Sequence, residues 1–152
     1  MLRFFSGTSF LIFGLVFSTI VSAADIKCDV CGMKFAEHAK DEVVLTSSNG
    51  AKVMHTCSLT CAHKARKYDA KFSKVQVTDF NHPDISIAGD RAFYIMSRHL
   101  KLDVGDATMP PYFAAFATRA EAEMAQKKYD QTEIYEGFEA LEKYKISKEN
   151  LK

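Results

Sequence analysis

The sequence predicts an α+β fold made of two consecutive ββαβ units packed together, with a C-terminal helix after the second. Three observations predict it. The order strand, strand, helix, strand occurs twice along the chain. The first strand pair is joined by Asn49-Gly50, which supplies the positive φ of a tight antiparallel turn. Ser58 and Thr118 stand as N-caps where the two helices should begin. The units share an order of elements and show no evident residue-by-residue identity.

The N-terminus reads as a signal peptide over residues 1–24. Arg3 is its only charge, an apolar run follows from Phe10 to Val21, and Val-Ser-Ala-Ala ends in the small residues a signal peptidase requires. The run is interrupted by Gly14, Ser18 and Thr19 and is short for a bilayer span, so cleavage is favoured over a stable membrane anchor. Cys28 follows the small residues only after Asp25-Ile26-Lys27, which argues against lipid attachment there. The mature chain is then an exported, soluble, periplasmic domain of about 128 residues, enough for one shared core. The chain carries 20 Lys+Arg and 19 Asp+Glu. The leader holds one base and no acid, so the mature protein is near neutral. With no basic stripe, nucleic acid is a poor partner.

The first unit spans residues 25–82. Residues 42–46 and 51–56 read as strands on either side of the Asn-Gly turn. A helix follows from Ser58 to about Ala70, with Leu59, Ala62, Ala65 and Arg66 on or near one stripe. Residues 73–80 alternate as a strand with Val75 and Val77 inward, and His82-Pro83 stops it. The second unit spans residues 83–152. Residues 91–97 are a strand, 99–111 a long connection, and 112–117 the partner strand. Thr118-Arg-Ala-Glu121 is a capping box that opens a helix to about Tyr129. Residues 131–135 form a short strand. A terminal amphipathic helix from Gly137 carries Phe138, Leu141 and Tyr144 at helical spacing.

All four cysteines lie in the first unit, as a C-x2-C pair (Cys28, Cys31) and a C-x3-C pair (Cys57, Cys61). One helical turn puts Cys57 and Cys61 on one side. A tight knuckle aims Cys28 and Cys31 at one point. Two such pairs are a common way to surround a soft metal ion. Four thiolates alone suit structural zinc, whereas copper(I) also accepts thioether sulfur, so Met33 beside Cys31 and Met109 ahead of Pro110-Pro111 weigh towards copper(I). Met54 is also near, while Met96 and Met124 lie inside elements and read as packing. His55, two residues before Cys57, is either a ligand or a half-buried histidine. His38 reads as a loop residue, and His63 points away from the sulfurs.

Two other readings stay open on the residues. Export permits disulfides, so the two pairs could brace an interaction domain. A thiol oxidoreductase would want its C-x-x-C at a helix N-terminus after a buried strand, and no such strand is evident before Cys28. No Ser/His/Asp set, carboxylate pair or phosphate-binding glycine loop indicates an enzyme.

The chain resembles the NosL family, the nitrous oxide reductase accessory proteins that handle copper outside the cytoplasm. The resemblance lies in Cys28-Asp-Val-Cys31-Gly32-Met33 with His38 after it, Val77-Thr-Asp-Phe80, Arg91-Ala-Phe-Tyr-Ile95, and Met109-Pro-Pro-Tyr-Phe-Ala-Ala-Phe-Ala117 with Arg119-Ala-Glu-Ala122. It implies paired ββαβ units and a metallochaperone that delivers or holds copper for a periplasmic metalloenzyme, nitrous oxide reductase or another copper enzyme. Cys31, Met33 and Met109 match positions of the family pattern. The chain departs from it in lacking a lipid-acceptor cysteine and in having Pro110 where a glycine is usual. The added Cys57/Cys61 pair makes the four-cysteine unit similar to TRASH and YHS metal-binding modules.

Overall fold

A computed structural model of the protein describes residues 25–69, 71–104, 110–129 and 133–149. The expected signal peptide lies outside the described residues. A short hairpin comes first, β1 (Asp25–Lys27) with β2 (Lys34–Ala36), and the C-x2-C knuckle forms its tip. The first unit follows as β3 (Val43–Ser47), β4 (Val53–Thr56), α1 (Leu59–Tyr68) and β5 (Phe72–Thr78). A short strand β6 (Ser86–Ala88) then pairs with β5, giving a sheet of order β4-β3-β5-β6, antiparallel throughout. The second unit is β7 (Phe93–Met96), β8 (Phe113–Phe116), α3 (Arg119–Lys128) and β9 (Tyr135–Glu136), with sheet order β8-β7-β9. Its topology repeats the first: the leading strand lies between its hairpin partner and the strand after the helix. The terminal helix α4 runs Phe138–Glu149.

Local chemistry accounts for these elements. Gly50 takes φ +72° in the β3–β4 turn, as the Asn-Gly pair predicts. Ser58 caps α1 by accepting from the Cys61 amide, and Thr118 with Glu121 forms the full capping box of α3. The hydrogen bond from Thr118 is the largest influence holding the Glu121 carboxyl below its usual pKa.

Alternation sorts the sheet faces. Val43, Leu45 and Val77 turn inward onto Leu59, Ala62 and Ala65 of α1. The same central core takes Tyr94 and Phe113 from the second sheet and Phe138 and Leu141 from α4, so α1 is enclosed by both units. The opposite face of the second sheet, with Ile95, Ala114 and Phe116, packs on Ala122 and Ala125 of α3 in a second core. Arg66 of α1 pairs with Glu142 of α4, tying the terminal helix to the first unit.

Three features differ from the sequence expectation. Residues 25–36 form a hairpin where no strand was expected before Cys28. The stretch expected as connection holds a 3-10 turn at Arg98–Leu100 and a one-turn helix α2 (Lys101–Val104), which buries Leu100 and Val104 in the second core. Strand β6 lies beyond the expected division at residue 82.

Gly89, directly after β6, joins the units. Its amide donates to the Val75 carbonyl, and its carbonyl accepts from the Tyr94 hydroxyl and the Phe138 amide. A Cβ there would lie 2.8 Å from Val75 Cγ1 and 3.2 Å from the Val75 carbonyl oxygen. Gly89→Ala is therefore expected to cost about 1–3 kcal/mol by overpacking. It should appear as a lower urea midpoint at unchanged slope.

Candidate metal centre

Backbone bonds bring the four cysteines together. In the knuckle the Cys28 amide donates to the Met33 carbonyl and the Gly32 amide to the Cys28 carbonyl, with Gly32 at φ +74° closing the turn. Asp29, between the two cysteines, fastens the knuckle to β4. Its amide donates to the His55 carbonyl (2.9 Å), and its carboxylate accepts from the His55 amide (2.7 Å). That places the knuckle against the end of β4, where Cys57 immediately precedes the Ser58 cap and Cys61 lies in the first turn of α1.

The four sulfurs lie within 4.8 Å of one another. Cys31 Sγ is 3.6 Å from Cys57 Sγ, and Cys57 Sγ is 3.9 Å from Cys61 Sγ. Both distances are beyond an S–S bond of about 2.05 Å, and all four are free thiols. An ion about 2.3 Å from each of four tetrahedral sulfurs requires sulfur–sulfur edges of about 3.8 Å. The two short edges match that spacing with no rearrangement, so the donor set fits a thiophilic ion.

Surroundings differ from sulfur to sulfur. Cys28, Cys57 and Cys61 are buried among Phe35, Ile26, Val30 and Ala39, while Cys31 is exposed. Burial pushes the Cys28 thiol up, but amides of Cys57, Cys31 and Val30 donate to its sulfur and outweigh burial, bringing it down to about 7. Cys61 is pushed up to about 11 by burial, against the Ser58 hydroxyl and with the charge of Cys28 beside it. Cys57 is driven above the ordinary thiol range, first by burial and then by its sulfur neighbours. Cys28 thus gives up its proton most readily of these three, while Cys57 and Cys61 resist further negative charge. A bound cation would reverse that balance, and the positive N-terminal end of α1 favours the anionic cluster.

The other candidate residues separate. Met33 lies two residues after the exposed Cys31 and is 37% exposed. Met109 lies outside the described residues. Its neighbour Pro110 accepts a hydrogen bond from the hydroxyl of Thr60, next to Cys61. Met54 packs on the central core. His55 turns its Nδ1 to the buried Glu42 carboxylate at 2.7 Å, and that carboxylate also accepts from the His38 amide. His38 itself adopts φ +61°. His63 faces Glu142 on α4. Among the described residues, the four cysteines are the group of three or more Cys, His, Asp or Glu with metal-ligand spacing.

Asp29 and Glu42 were not singled out by the sequence, and both brace the site. The one available signal was Asp29 inside C-x-x-C, since Asp commonly accepts from nearby backbone amides.

No protein-family model matches the chain, and no curated protein does. Among solved structures, the crystal structure of the copper chaperone NosL from Shewanella denitrificans aligns with a TM-score of 0.59. The alignment covers 73% of this chain and 86% of that one at 18% identity. The chain thus has an α+β fold like that of the copper chaperone NosL, with a four-cysteine cluster at the end of its first hairpin.

Proposed function

We propose that the protein is an exported copper(I)-binding accessory protein that holds or delivers copper for a periplasmic metalloenzyme. The observation that carries this reading is the convergence of four sulfurs within 4.8 Å, with Cys31 left exposed. Cys28, Cys31, Cys57 and Cys61 would bind the ion as thiolates, and Met33 and Met109 would offer thioether sulfur. An exposed Cys31 lets a client's ligands replace these sulfurs one at a time, which a fully enclosed site would prevent. The fold likeness to a copper chaperone supports the reading. Periplasmic residence rests on the expected leader. Among the described residues, no helix is long and apolar enough to cross a membrane.

A structural zinc site is the second reading, because edges of 3.6 and 3.9 Å suit a zinc tetrahedron equally well. Metal analysis after anaerobic, reducing purification separates the two. Met33→Ala sharpens the result: it is expected to weaken copper(I) about tenfold, a loss of ~1.4 kcal/mol, in competition with a copper(I)-specific chelator. Zinc affinity should not change, because zinc seldom uses thioether sulfur. Stoichiometric zinc, with no copper(I) uptake and no effect of Met33→Ala, would overturn the copper reading.

A further inference from the structure

The pairing registers align the two units residue by residue. Val43 pairs with Thr56 and Val77, and Phe93 pairs with Phe116 and Glu136. Thr56 therefore corresponds to Phe116, Cys57 to Ala117 and Cys61 to Glu121. The helices agree with this register. Ser58 and Thr118 are both N-caps, and the buried pair Ala62 and Ala65 corresponds to the buried pair Ala122 and Ala125.

The same register reaches the segments ahead of each unit. The Asp29 amide donates to the His55 carbonyl at 2.9 Å, and the Phe80 amide donates to the Ala115 carbonyl at 2.8 Å. His55 and Ala115 are equivalent, each two residues before Cys57 or Ala117. Asp29 then corresponds to Phe80, Cys28 to Asp79 and Cys31 to His82. The turn bonds agree as well: Cys28 N–H to the Met33 carbonyl, and Asp79 N–H to the Ile85 carbonyl in a loop one residue longer. Cys28 and Asp79 are both buried, and Cys31 and His82 are both exposed.

We infer that the second unit is a sulfur-free copy of the metal-binding corner, with Asp79, His82, Ala117 and Glu121 standing where Cys28, Cys31, Cys57 and Cys61 stand. The fold around the corner therefore stands without an ion, and the ion of the first unit is cargo rather than a strut. This rests on reading the cysteines as metal ligands.

Hydrogen bonds in the second unit do what an ion would do in the first. The Asp79 carboxylate accepts from the Asn81 and His82 amides and fixes the loop. The Asn81 side-chain amide donates to Glu121 at 3.4 Å, linking that loop to the start of α3. In the first unit the links from knuckle to helix start run through sulfur instead: Cys31 Sγ touches Cys57 Sγ, and the Cys57 amide donates to the Cys28 sulfur. Its knuckle is nonetheless held on β4 by the two Asp29–His55 bonds. Loss of the ion would thus loosen the sulfurs and leave the fold in place.

Two experiments on the mature chain test this. Urea unfolding of the metal-free wild type, followed by near-ultraviolet circular dichroism, should show one cooperative transition from a native-like baseline. Absence of a cooperative transition without metal would overturn the inference, whether or not copper is the ion. In the second, the corner is exchanged in both directions. The variant Asp79→Cys/His82→Cys/Ala117→Cys/Glu121→Cys should raise soft-metal stoichiometry from one to two per chain. The reciprocal Cys28→Asp/Cys31→His/Cys57→Ala/Cys61→Glu should bind none and still unfold cooperatively. A folded re-armed variant that binds only one ion, or a reciprocal variant that does not fold, would overturn the equivalence. Should the re-armed variant fail to fold, the metal-free wild type and the reciprocal variant decide the matter. A wild type that binds no soft ion would instead remove the proposed function, and metal-free unfolding would still test the fold's independence.

Discussion

Cys57→Ser is expected to weaken copper(I) binding by about 100- to 1,000-fold while leaving the fold intact. Apparent free energies for four-ligand structural zinc sites run about 10–16 kcal/mol, so an even share per thiolate is roughly 2.5–4 kcal/mol. The Cys57 sulfur touches both sides of the site, at 3.6 Å from Cys31 in the knuckle and 3.9 Å from Cys61 on the helix. Serine nearly preserves shape and removes the soft donor. Competition with a copper(I) chelator gives the affinity, and circular dichroism confirms folding. An affinity within threefold of wild type would mean that the ion is held elsewhere.

A steep pH dependence is the second large effect. In the metal-free protein Cys61 lies at about 11 and Cys57 is raised still further, whereas Cys28 lies at about 7. At pH 8 the metal-free form therefore keeps the protons of Cys57 and Cys61 and has largely released that of Cys28. Binding a cation as thiolates expels those held protons, so the metal-free state carries more protons and rising pH favours binding. Each expelled proton contributes about tenfold per pH unit, so affinity should rise at least about 100-fold between pH 7.5 and 8.5. Below pH 7 the Cys28 proton adds to the count, and the slope steepens. Titrations in two buffers of different ionisation enthalpy give the proton number directly. A slope near zero would show that the ligands are not these thiols.

Features set by local chemistry could be read in the sequence, and features set by tertiary pairing could not. Asn49-Gly50, Ser58 and Thr118 with Glu121 each satisfy backbone demands within a few residues, so the hairpin and both capped helices were visible. The cysteine spacings were equally plain. β1, β2 and β6 have three residues each, too few to show a period, and exist because a neighbouring strand accepts them. The helical turn at 98–104 was hidden because it is too short to show a helical period; among the described side chains, Leu100 and Val104 mark its buried side.

Nor was the equivalence of Cys28 with Asp79 legible, since those residue types share no chemistry. It emerges from strand register and the matching backbone hydrogen bonds of Asp29 and Phe80. Asp29 and Glu42 illustrate the same limit, because each braces the site through a partner 26 or 13 residues distant in sequence.

The central claim is that one soft ion sits among these four sulfurs. X-ray absorption at the copper edge tests it most directly, on the mature protein loaded anaerobically with one equivalent of copper(I). The prediction is a first shell of sulfur alone, three or four atoms, that loses sulfur in Cys57→Ser. A shell dominated by nitrogen or oxygen, or four thiols that remain fully reactive in the presence of copper(I), would contradict it.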